Sequence, residues 1–159
     1  MKLTNELHIL IESLEKKVRL LDFLLADSKK QEELAKLSDF NAEQFDLLVD
    51  HKDELLGQMD ELDQGFDVLF SRIKDDLLMH QMDYSEEIKK LQELIKTTVD
   101  YGAQVSATEM RVKEVLSNAI YKQREELAKR RISSQSVMNY YKTSNQLGHI
   151  EPYFLDQKK

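Results

Sequence analysis

The chain has 159 residues, 41% hydrophobic and 33% charged, with four glycines, one proline and no cysteine. That composition fits one helical domain and excludes a disulfide scaffold, a thiolate nucleophile and cysteine-ligated zinc. The net charge of −7 is concentrated in the middle: residues 39–87 hold 3 basic and 15 acidic side chains, against 7 and 7 in 1–38 and 13 and 8 in 88–159. This pattern argues against nucleic acid as the main partner and favours docking of the basic last third beside the acidic middle.

In chain order, Leu7, Ile11, Leu14, Val18, Leu21 and Leu25 step by four and three and predict a first helix over about 5–36, with Thr4 as N-cap. The polar run 28–33 predicts fraying of its last turns. Asn41 is placed to cap a second helix, with Gln44 at its third position and Phe40 stapled onto Phe45. This helix, over about 42–80, carries a seam through Phe45, Leu48, Leu55, Met59, Leu62, Phe66, Leu69 and Ile73, with one polar gap at Lys52. Gly57 and Gly65 within it mark either a close helix contact or two weak points. After a turn at 82–85, where Asp83 or Ser85 can cap, a third helix is expected over 86–131. Its seam is read as Ile88, Leu91, Ile95, Val99, Gly102, Val105, Met110, Val112, Leu116, Ile120 and Leu127. The fold expected is all-α, an elongated antiparallel three-helix bundle or coiled coil with a flexible C-terminal tail.

Residues 97–108 are small and weakly helical. They admit two readings: close packing of the third helix on its neighbours, or a shallow groove around Tyr101, Gly102 and Val105 into which a partner helix can be laid. Residues 132–159 lack any sustained period and read as a polar and aromatic tail, disordered or loosely attached in the free protein. The tail still carries Val137, Met138, Tyr140, Tyr141, Tyr153, Phe154 and Leu155, side chains that call for a partner. As a binding device, it would leave the bundle's stability nearly unchanged if removed after Ser136; the opposing expectation is that it folds back over the shallow Gly102 region as a lid or plain core, and truncation then lowers the melting temperature.

No pattern carries catalysis. The histidines are scattered and only His8 with Glu12 has helical metal-ligand spacing; no serine has a nucleophile-elbow context and no glycine cluster can cradle a phosphate. The cluster of Lys122, Arg124, Lys129, Arg130 and Arg131 reads as a complement to the negative end of a helix. No run of about 20 apolar residues predicts a membrane span, and no signal segment is visible. The expectation is a non-enzymatic, cytoplasmic protein without cofactor or metal, without stable membrane insertion, and monomeric or a small homo-oligomer.

The turn KQEELAKLSDFNAEQFDLL, three proline-free helices, a basic end to the third and the closing YFLDQKK together resemble the FlgN-type flagellar export chaperones. The resemblance implies a chaperone that binds the helical ends of flagellar hook-associated proteins, which form the hook–filament junction, and delivers them to the flagellar type III export apparatus. It also implies a cargo-binding role for the C-terminal part, here Tyr140, Tyr141, Tyr153, Phe154 and Leu155. A coiled-coil scaffold or tether, or a chaperone for another export cargo, is the alternative.

Overall fold

The computed structural model describes residues 2–123 and 137–140. Three long helices account for nearly all of them: α1 (Lys2–Lys36), α2 (Ala42–Met79) and α3 (Ser85–Gln123), with one 3-10 turn (Gln81–Tyr84) between the last two. There is no strand among the described residues. The helices form an all-α bundle in which α1 packs against both others, while the α2 and α3 backbones stand further apart. Cross-links give the directions. Lys17 meets Asp63 and Gln31 meets Lys52, so α1 and α2 are antiparallel; Tyr101 meets Asp22 and Arg111 meets Glu32, so α1 and α3 are parallel.

The first turn forms as its residues dictate. Asn41 leaves the helical region at φ −103° and ψ 101°, and its side chain accepts the Gln44 amide at 3.1 Å, relieving one orphan donor. Phe40 packs on Phe45 with ring centroids 5.6 Å apart, fixing the angle at which the chain enters α2. At the other end, α3 starts at Ser85 with Glu86 and Glu87 in its first turn, where the helix dipole favours carboxylates. The first helix starts earlier than expected, at Lys2, so Thr4 lies inside it. The predicted extension of α3 from 124 to 131 lies outside the described residues.

The buried stripe is more regular than its hydrophobic residues suggest. On α1 it runs Leu3, Leu7, Leu10, Leu14, Lys17, Leu21, Leu24, Ser28, Gln31 and Ala35, all buried and spaced by four and three without interruption. Three of these ten are polar, and the predicted fraying of 28–33 is corrected because Ser28 and Gln31 are fully enclosed. On α2, Lys52 is 3% exposed, so the gap in the seam is itself a core position. On α3, Thr98 and Glu109 occupy the inward positions assigned by apolarity to Val99 and Met110, which are 52% and 58% exposed. A coiled-coil register is a continuous geometric property, so the stripe keeps its phase and accepts a polar residue where one falls. For the same reason Leu62 is only half-buried, while Leu116 is fully enclosed.

Three apolar clusters line the bundle. One joins Leu3, Leu7, Leu10 and Leu14 to Phe70, Ile73, Leu77, Ile88 and Leu91. The far end joins Ala35, Phe45, Val49, Val112 and Leu116. Between them, Leu21, Leu24 and Leu25 meet Leu55, Met59 and Val105, and this middle cluster contains a fourth component, Val137. A Cβ added at Gly57 or Gly65 would meet nothing within 4 Å, so neither glycine serves a close helix approach.

Candidate binding surface

The middle of the bundle collects the residues that sequence reasoning singled out. Gly102 lies on the inward line of α3 and is half-buried. Val105 is fully buried in the middle cluster, and Tyr101 packs at its margin with its hydroxyl donating to Asp22 at 3.1 Å. That hydrogen bond raises the Tyr101 pKa, because losing the proton would set a phenolate against the carboxylate. Residues 137–140 form a helical turn on the same cluster. Val137 is 1% exposed, and Tyr140 is half-buried with its hydroxyl donating to Asp63 at 2.8 Å. Tyr101, Val105 and Tyr140 are thus brought to one place. Tyr141, Tyr153, Phe154 and Leu155 lie outside the described residues.

This turn lies where the opposing expectation puts the tail, folded back onto the Tyr101, Gly102 and Val105 region. Val137 sits among side chains of all three helices. Asp63 receives both the Tyr140 hydroxyl and the Lys17 ammonium, the latter at 2.8 Å, so α1, α2 and the turn share one carboxylate. The sequence signal was available: Asp63 and Lys17 fall on the inward heptad line of their helices, where a charge needs a partner.

A second polar layer lies between the middle cluster and the Phe45 end. The Lys52 ammonium bonds Gln31 at 2.5 Å and pairs with the Glu109 carboxylate, which also accepts from the Ser28 hydroxyl. Burial lowers the Lys52 pKa, and the neighbouring Glu109 opposes that effect. One oxygen of Glu109 is buried without a hydrogen-bond partner among the described residues. At the rim, His51 meets Asp27. The pair Lys52–Glu109 spans α2 and α3 where their backbones stand apart. Sequence reading passed over it because apolar residues alone were followed.

The residues left outward form a different surface. On α3, Val99, Ala103, Met110 and Tyr121 are all exposed, Tyr121 at 90%. Their spacings of four, seven and eleven return to within about 40° of one face at 100° per residue. An apolar recess of about 450 Å³ lies between the end of α1 and the start of α2, lined by Leu34, Leu37, Leu47 and Leu48 together with Lys30, Glu33 and Gln44.

Among the described residues no group of three or more His, Asp or Glu side chains is placed to hold a metal ion. No described helix is long and apolar enough to cross a membrane. In comparisons with protein-family models, curated proteins and solved structures, nothing matches this chain.

Proposed function

We propose that this protein is a non-enzymatic export chaperone of the FlgN type, which holds the helical ends of flagellar hook-associated proteins in the cytoplasm and presents them to the flagellar type III export apparatus. The observation that supports it is the exposed line Val99, Ala103, Met110 and Tyr121 on α3. A helix already satisfied on its inward face carries a second apolar line with small residues between larger ones, which suits an amphipathic partner helix laid along it. The turn and closing motifs that resemble the family supply the identity of the cargo. Tyr141, Tyr153, Phe154 and Leu155 would add contacts around that helix.

The test is calorimetric titration of the intact protein with a peptide of the C-terminal helix of a hook–filament junction protein. Binding in the micromolar range or tighter is expected, and Val99→Asp with Met110→Asp should weaken it at least tenfold while leaving the far-UV circular dichroism unchanged. No binding by the intact protein, or equal binding by the double variant, would reject this reading.

A further inference from the structure

We propose that the seat of residues 137–140 is a helix-docking site, filled in cis by the chain's own turn and open in trans to a basic amphipathic helix that presents an apolar residue followed three positions later by a hydrogen-bond donor. The proposal concerns a different surface from the exposed line on α3 and does not rest on the flagellar reading.

The seat is built by the three helices. Leu21, Leu24, Leu55, Met59 and Val105 form an apolar pit that takes Val137, and Asp63 stands beside it as acceptor for Tyr140. The wide spacing of α2 and α3 is what gives room for a further element. Residues 137–140 are helical where they sit on it, so the seat accepts helical backbone. This occupant is tethered at a distance. Val105 lies 18 residues before Gln123, the last residue of α3 that the structure describes, about 27 Å along the axis at 1.5 Å per residue. An occupant joined in this way competes through its effective concentration, and a partner of better fit can replace it.

Charge indicates what that partner is. The seat borders α2, whose surroundings, residues 39–87, hold 15 acidic and 3 basic side chains. The cis occupant comes from residues 127–150, which hold four basic side chains and no acidic one. Asp60 and Asp67, one turn either side of Asp63, are exposed and ready to meet cations flanking the docked turn.

The experiment uses a fluorescein-labelled peptide with the sequence of residues 130–145, titrated by anisotropy into three full-length proteins: the wild type, Val137→Asp with Tyr140→Phe, and the milder Val137→Ala with Tyr140→Phe. Circular dichroism first establishes which variants keep their helix content. The variants, with the cis turn weakened, should bind the peptide at least tenfold more tightly than the wild type, and added salt should weaken that binding. A peptide carrying Val137→Asp should bind none of them. Equal affinity for wild type and folded variants would show that nothing competes in cis, and absence of binding to any folded variant would show that the site accepts no helix in trans; either result overturns the proposal.

Discussion

Replacing Lys52 tests whether the polar layer is as closed as its geometry indicates. In Lys52→Met the Glu109 carboxylate, 0% exposed, keeps only the Ser28 hydroxyl as partner, and Gln31 loses its contact. Breaking a buried ion pair from one side costs about 3–5 kcal/mol, because an uncompensated charge stays behind. Glu109→Met strands the ammonium in the same way and should cost a similar amount. The double variant Lys52→Met/Glu109→Met removes both charges and leaves two neutral orphans. Ser28 can turn its hydroxyl back to a carbonyl of its own helix, so Gln31 carries the residual cost, about 1–3 kcal/mol.

The single effects therefore sum to roughly 6–10 kcal/mol while the double variant loses far less, a coupling of several kcal/mol between α2 and α3. Urea denaturation followed by circular dichroism, with the slope held common to all four proteins, measures it. Single variants that each lose under about 1 kcal/mol, with a strictly additive double, would mean that water reaches the pair and that its enclosure is wrong. Replacing the whole layer, with Ser28→Ala and Gln31→Leu added to the double variant, should recover or exceed wild-type stability.

Other substitutions separate the observed stripe from the apolar one. Leu116→Ala should cost about 2–5 kcal/mol, and Leu62→Ala, at a half-buried position, clearly less; equal costs by urea denaturation would contradict the register. Gly57→Ala should stabilise by about 0.5–1 kcal/mol, since the new methyl group meets open space in mid-helix, and a lowered melting temperature would refute it. Asp53 has its pKa raised by partial burial and by Asp50 beside it. The folded state thus binds its proton more tightly than the unfolded one, and stability falls as pH rises through that window. Asp53→Asn should accordingly raise the melting temperature at neutral pH, with the gain vanishing in acid below the ordinary carboxylate range; a gain independent of pH would remove the electrostatic explanation.

How much of this was legible in the sequence depended on which physical signal each feature leaves. Three helices, two short turns and the Asn41 cap with its Phe40–Phe45 staple follow from local chemistry, and the structure has them, although α1 begins at Lys2, ahead of the expected Thr4 cap. The phase of the buried stripe was harder. Following the nearest apolar residue moved the α3 seam from Thr98 to Val99 and from Glu109 to Met110, each one residue and about 100° round the helix. Holding a strict alternation of four and three instead passes through Lys17, Ser28 and Gln31 on α1 and Lys52 and Asp63 on α2, and so meets both polar layers. The seat of Val137 left no local signal: four residues without a period gain their place only from a pit assembled by three helices. Gly102 and Val105 pointed to the correct region of α3, though Val105 serves as a wall and not as an exposed contact.

Energetics indicate that this turn is seated by a margin of only a few kcal/mol, and Val137→Ala tests it. Fixing residues 137–140 alone costs about 4–8 kcal/mol at 1–2 kcal/mol each. Against this, burying Val137 stabilises by about 1.5–3 kcal/mol. The Tyr140 bond to the Asp63 carboxylate adds about 1.5–3 kcal/mol, and partial burial of its ring about 1 kcal/mol more. The two sides agree to within a few kcal/mol, so removing two methyl groups, about 1.6 kcal/mol, should shift docking of the turn by more than tenfold. Amide hydrogen exchange at residues 137–140 would report that shift directly. Global melting should move much less than in Leu116→Ala, because the helices beneath stay packed on one another through Leu21, Leu55 and Val105. If Val137→Ala instead lowers the global midpoint as far as Leu116→Ala does, with no separate local opening, the turn is integral core, and the bundle requires it to fold.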